Sequence, residues 1–184
     1  MDPNHDLRDF RNVCRLFPLP EVVLFPHAVL PLHIFEPRYR QMTEDALAGD
    51  RLVTIVQLLP DTPTADPTRP AIEAVGCLGK IVRHERLPDG RFNFLLVGRK
   101  RVRLLRELAS GKPYRLAEAR LLEDVAPEEP VGPLRRELVR LFRTLARRQG
   151  TLDPDMAKLL QADLALGILT DLIAHALGLT ASIK

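Results

Sequence analysis

The chain has 184 residues, 46% hydrophobic and 28% charged, the balance of a soluble globular protein with one domain or a main domain and a small appendage. Aromatic residues make up 5% and Trp is absent, so aliphatic side chains must fill the core, which argues against a stacking platform for single-stranded nucleic acid. A net charge of +3 allows a nucleic-acid contact without demanding one. Cys14 and Cys77 lack C-x-x-C spacing, so neither a zinc site nor a disulfide scaffold is expected, and a single bridge between them is left open.

The N-terminal stretch "MDPNHDLRDFRNVCR" is charged throughout and has no apolar signal core. No run reaches the length of a transmembrane helix, so a cytoplasmic protein with no membrane partner is expected. Val13 to Leu19 then reads as a first strand. Val22 to Leu24 and Ala28 to Ile34 follow as short extended pieces, each bounded by proline. Pro18, Pro20, Pro26, Pro31 and Pro37 interrupt apolar runs that would otherwise read as central strands. Proline cannot donate to a ladder, and it pushes the preceding residue to extended geometry. The expected solution is a set of short, bent strands at a sheet edge or a barrel corner.

Pro37 suits the first turn of a helix, where its missing N–H is harmless. Tyr39, Met42, Ala46 and Leu47 recur at helical spacing, with Gly49 as the stop. Leu52 to Leu59 is a β-branched strand, and "PDTPTADPTRPA" is a loop by composition. Ala74 to Leu87 reads as a strand kinked at Gly76 and Gly79, and Asp89-Gly90 as the turn of a hairpin whose return strand carries Phe92, Phe94 and Leu96. A further strand pair, Val102 to Glu107 and Tyr114 to Leu122, flanks the turn "ASGKP". The region from 13 to 122 is thus β-rich with one inserted helix. "EDVAPEEPVGP" marks a boundary, after which residues 131–178 are helical. There Leu134, Leu138, Leu141 and Leu145 form one stripe, expected to pack, and Arg136, Arg140, Arg143 and Arg147 form another on the opposite face. One or two more helices start at Asp153-Pro154, with a break at Gly167 and with Leu166, Leu169, Ile173 and Leu177 on the packed side. The chain stops at "TASIK", and a further helix is expected beyond it in the natural protein.

The motifs of common chemistries are missing. Gly111-Lys112 is followed by Pro113 and lacks the upstream glycine of a phosphate-binding loop, and no G-x-G-x-x-G occurs. Ser110 and Ser182 are the only serines, neither in a nucleophile elbow. Ser110 stands two residues from Lys112, but a short polar turn offers nothing to desolvate the lysine. His5, His27, His33, His84 and His175 show no metal-binding spacing, and the carboxylates are dispersed. His33 and His84 are read as structural histidines within strands, and His27 as an exposed turn residue. No catalytic residue, metal or cofactor is assigned. Two binding features remain. Arg99, Arg101 and Arg103 alternate along one strand face and, with the helical arginine stripe, would suit an acidic partner or a phosphate backbone. The proline-broken segment leaves backbone groups unpaired beside apolar side chains, where an extended peptide can add as a strand.

The stretch "FPLPEVVLFPHAVLPLHIFEPRYRQMTEDAL" resembles the start of the amino-terminal substrate-binding domain of Lon proteases, a domain found also in stand-alone proteins and in cereblon. Leu19-Pro20, Val22 to Pro26 and Pro31 to Tyr39 match the pattern of that family. "VGCLGKIVRHERLPDGRFNFLLVGRKRVRL" is similar to its second signature, and the resemblance spans residues 15 to 178. It implies an α+β fold: a small β pseudo-barrel of the PUA-like type with one inserted helix, then a C-terminal helical bundle. It also implies a non-enzymatic, ATP-independent module that recognises unfolded or extended polypeptides, as an adaptor or a homo-oligomeric holdase. On this reading Phe25, Pro26, Leu30, Leu32, Phe35 and Tyr39 divide between core and a peptide-binding rim. The alternative is an RNA-binding PUA-like protein using its arginine faces.

Overall fold

Strand β3 (Leu52–Leu59) explains the architecture best, because its residues Leu52 to Val56 are buried on both faces. A run of that kind needs neighbours on both edges and cover above and below. The computed structural model describes residues 7, 10–59, 62, 64, 66, 69–125, 127, 128, 130–149 and 154–184. Half of the loop expected at 60–71 lies outside the described residues, as do His5 and Asp153. Two compact units are present, Met1–Leu122 with Leu179–Lys184, and Glu123–Gly178.

In the first unit β1 (Val13–Leu19) pairs parallel with β3, and β2 (Val29–Ile34) and helix α1 (Pro37–Leu47) form the connection between them. β4 (Ala71–Arg86) pairs antiparallel with β3 and β5 (Phe92–Leu108), and β6 (Leu116–Leu121) pairs with both β5 and β1. The pairings β1–β3–β4–β5–β6 therefore return to β1 and close a ring, while β2 adds to β5 outside it. Leu16, Val56, Leu78, Val102, Ala117 and Ala119 form the apolar core of the ring. Each large member contributes about 1.5–3 kcal/mol by leaving water. Cys14 joins this core and Cys77 is also buried; neither forms a disulfide.

β5 is one continuous 17-residue strand, where the sequence suggested two shorter ones. It changes neighbours halfway: Phe92 to Val97 lie beside β2, and Val102 to Leu108 beside β6. At the change-over the register against β4 shifts between Leu78 and Gly79, leaving Arg99 as the extra residue. There the backbone of Phe25 crosses so close that a Cβ on Gly98 would lie 2.1 Å from the Phe25 carbonyl oxygen, so only glycine fits.

Val22 to Leu24 is not a strand. Near its C-terminal end β3 is already flanked by β1 on one edge and β4 on the other, so the segment after Pro20 finds no free edge there and runs without ladder partners. It ends in a turn at Pro26-His27, closed by the Ala28 N–H donating to the Phe25 carbonyl at 3.2 Å. Helix α1 begins at Pro37 as expected and buries Tyr39, Met42, Thr43 and Ala46. The left-handed residue after it is Arg51 (φ 62°), whose N–H donates to the Ala46 carbonyl; Gly49 does not take that conformation.

In the second unit α2 (Val131–Gln149), α3 (Pro154–Leu159) and α4 (Leu166–Ala176) enclose Phe142, Ala146, Leu160, Leu169 and Ile173, with Leu138 and Val139 against them. The leucine stripe expected to pack is displaced: Leu134, Leu141 and Leu145 are exposed, Leu141 at 52%. Two apolar lines lie side by side on α2. The one holding bulky Phe142 and small Ala146 takes the core, a difference that spacing alone does not encode. Gly167 lies inside the first turn of α4, and the break between the helices falls at residues 160–165.

Candidate functional site

β2 is the edge of the sheet, so its outer backbone groups decide what it can bind. The Gly98 N–H donates to the Ala28 carbonyl, which places Ala28 in the set facing β5. By the alternation of an antiparallel ladder, Leu30, Leu32 and Ile34 also face β5, and Val29, Pro31 and His33 present their backbone groups to the free edge. Pro31 thus removes a donor from the side that needs none for folding. It leaves a shortened edge at which Val29 and His33 can donate and three carbonyls can accept.

Side chains alternate in the same way. Ile34 is buried, Leu30 and Leu32 are half-buried, and Val29, Pro31 and His33 are exposed. Phe35, two residues beyond His33, is 59% exposed, and the two rings stack with centroids 6.2 Å apart. Pro31 and His33 open onto a concavity of about 740 Å³ whose further walls include Leu95, Asn93, Arg83 and Glu85. His33 Nδ1 lies 2.7 Å from Asn93 Oδ1, and Arg91 approaches Nε2 at 3.4 Å, so the ring is tied to both neighbours. The surface is apolar at its rim and offers hydrogen bonds at its floor, a chemistry suited to an extended polypeptide.

The residues expected at a peptide rim divide unevenly. Phe25, Pro26 and Tyr39 belong to the interior: Tyr39 packs on Phe17 with centroids 4.3 Å apart, and burial pushes its phenol above the ordinary value. Leu30 and Leu32 are half-buried, and Phe35 is exposed. Val29, Pro31 and His33 were missed, although the period-2 alternation of a half-buried strand contains the signal that would have found them. His84 is exposed as well, which differs from the structural role expected of it and of His33.

The arginine faces are less continuous than the spacing suggests. Arg99 is the bulged residue, Arg101 is half-buried with its guanidinium 5.7 Å from the Phe25 ring centroid, and Arg103 is exposed. On α2, Arg136, Arg140, Arg143 and Arg147 line a groove of about 490 Å³ together with Arg135. Arg135 donates to the Leu164 and Ala162 carbonyls, and Arg140 pairs with Glu137 at 2.6 Å. Lys112 donates to Asp45 at 2.9 Å from an exposed turn, so it is a paired cation and no base for Ser110. Among the described residues no group of three metal-ligating side chains comes together, and no helix is long and apolar enough to cross a membrane.

The family model of the ATP-dependent protease La (LON) substrate-binding domain matches residues 13–184. The Lon protease of Dictyoglomus thermophilum is 31% identical over 140 residues, covering 76% of this chain and 17% of that protein. That of Trichlorobacter lovleyi is 31% identical over 169 residues, 91% of this chain and 20% of the relative. The chain therefore spans about a fifth of the length of these curated relatives. Among solved structures, the N-terminal domain of Mycobacterium avium complex Lon protease superposes with a TM-score of 0.72 at 17% identity, covering 94% of this chain and 87% of that one. A Lon N-terminal domain protein from Xanthomonas campestris gives 0.55 at 22% identity, covering 88% and 97%. At such identities the structural likenesses speak for the fold, which is a mixed α+β arrangement, mostly sheet with a few helices.

Proposed function

The chain belongs to the ATP-dependent protease La (LON) substrate-binding domain family, and from that premise we propose that it is a non-enzymatic polypeptide-recognition module. In this reading the closed strand ring is a PUA-like pseudo-barrel, the second unit is a C-terminal helical bundle, and recognition needs no ATP. The observation that carries the proposal is the free edge of β2, lined by Val29, Pro31 and His33 and ending at exposed Phe35. An extended segment added there gains main-chain hydrogen bonds and buries apolar surface that the isolated protein leaves in water. Leu30 and Leu32 support that edge from the half-buried side. The module would serve as an adaptor or a homo-oligomeric holdase in the cytoplasm.

The test is fluorescence anisotropy of the full chain with a labelled, permanently unfolded polypeptide and, in parallel, a labelled RNA, each at low and high salt. Polypeptide binding is expected to survive salt, because it rests on apolar burial. Phe35→Ala should weaken it by about five- to tenfold, the equivalent of roughly 1–1.5 kcal/mol of lost burial. RNA binding that is tight at low salt and collapses as salt rises would overturn the proposal and point instead to Arg101 and Arg140.

A further inference from the structure

Strand β4 is covered along only part of one edge. β3 pairs with it from Ala71 to Lys80, and the last link on that side is the Ile81 N–H donating to the Arg51 carbonyl. β3 begins at Leu52, so Val82 to Arg86 keep β5 on one edge and have no described strand on the other. All five of these residues are exposed. The Leu87 N–H donates to the Arg91 carbonyl, which turns the backbone of Leu87 toward β5. By alternation Arg83 and Glu85 also face β5, and His84 and Arg86 present their N–H and C=O groups to the bare edge. The side chains of Arg83 and Glu85 share a face with Leu95 and Asn93, their partners on β5. Neither has an ion pair with any described residue, whereas Arg86 is held by Glu44 at 3.1 Å.

We propose that this edge pairs with the same edge of a second copy of the chain, antiparallel about a two-fold axis at His84. Two constraints fix that register. Residues whose backbone groups point outward must meet residues that do the same, so the axis passes through a residue and never between two. With the axis at Arg83 or Glu85, an arginine or a glutamate meets itself. With the axis at His84, Arg83 of each copy lies opposite Glu85 of the other. Those two pairs fall at non-hydrogen-bonded positions, where side chains approach most closely, while the two His84 residues exchange backbone hydrogen bonds. Charge on an edge strand ordinarily blocks pairing, and opposite signs placed symmetrically about His84 make that block selective for a second copy. The contact is isologous, so it closes as a dimer, and the register shift at Ile81/Arg83 and the turn at Gly90 limit its length. It joins β2, β5 and β4 of both copies into one sheet, with both Pro31–His33 concavities on the face that carries the Arg83–Glu85 pairs. So short a ladder buries less than a standard interface, which makes the dimer a weak one. The inference goes beyond polypeptide recognition and requires no client.

The experiment is analytical ultracentrifugation of the full chain from about 1 μM to about 1 mM, without any polypeptide probe, with circular dichroism to check folding. The weight-average mass of the wild type should climb toward twice that of one chain. Arg83→Glu and Glu85→Arg each set like charges face to face twice, and each alone should raise the dimer dissociation constant by about tenfold or more. An equimolar mixture of these two variants should recover the wild-type association, because the acidic pair of one then faces the basic pair of the other. His84→Pro removes an N–H that points away from β5, so it should abolish association and leave the fold intact. A wild type that stays monomeric up to 1 mM overturns the dimer and leaves polypeptide recognition standing, since that is read separately by anisotropy. Association that the charge reversals do not weaken, or that the mixture does not restore, also overturns it and assigns the contact to another surface, such as the exposed leucines of α2.

Discussion

At the scale of single residues, two positions around the Pro26 turn show opposite backbone demands. Gly98 has no room for a side chain under the Phe25 carbonyl, whereas His27 holds φ at 67°, a conformation that glycine adopts without cost. A left-handed non-glycine residue costs about 1–2 kcal/mol, and glycine gives back part of that through the freedom of its unfolded chain. His27→Gly should therefore raise the melting temperature by a few degrees, up to about 1 kcal/mol. Gly98→Ala should lower stability by at least about 2 kcal/mol, because backbone and not a flexible tip must move. Thermal melts of both variants check the pair of signs. Cys14 is a third case: burial pushes its thiol up to about 11, so alkylation near neutral pH should fail on the native chain and succeed once it unfolds. Pattern reading located the Pro26-His27 turn, but the crossing that makes Gly98 obligatory joins residues far apart in sequence and has no local signature.

Between elements, the turn joining β5 to β6 is tied to α1 by one carboxylate. Asp45 accepts from Tyr114 at 2.6 Å, Lys112 at 2.9 Å and Gln41 at 3.0 Å. Burial works against its charge, but these donors prevail and hold its pKa below the ordinary carboxylate value. A depressed carboxylate contributes stability that is present above its unfolded pKa and is lost as pH falls through the lower folded one. Glu107 has the same sign, lowered chiefly by hydrogen bonds from Arg115 and then by Arg69. The melting temperature should thus fall steeply below about pH 4, and Asp45→Asn should flatten part of that fall. Tyr114 has the converse sign. Burial first and Asp45 second raise its phenol to about 12, so its contribution is lost only as pH climbs from the ordinary tyrosine value toward that figure. Tyr114→Phe should cost about 1–2 kcal/mol near neutrality, as read from denaturant midpoints. Gln41 and Asp45 stand at i, i+4 on α1 and can be paired from sequence, but the partners across the turn cannot, since 69 residues separate Tyr114 from Asp45.

Across the whole molecule, protection should follow the ring of strands. Amides of β3, with a strand on each edge and burial on both faces, should exchange most slowly, while those of Val22, Val23 and Leu24 should exchange quickly although protected segments flank them. Hydrogen exchange resolved by residue checks this, and slow exchange at Val22–Leu24 would mean that a partner for these groups exists. Sequence by itself determined a β-rich region with one inserted helix, a helical region after it, the Pro37 start of α1 and the turn at Gly90, because periodicity, proline geometry and turn chemistry act over a few residues. The segment resemblance at Pro31 to Tyr39 likewise identified the family from local motifs. Tertiary structure alone decided that Val22–Leu24 stays unpaired, that β5 runs unbroken past two different neighbours, that Phe142 and not Leu141 enters the helical core, and that the exposed residues of β2 are Val29, Pro31 and His33. Each of those outcomes depends on which edge or face is already taken by a distant part of the chain, and a local pattern carries no record of such competition.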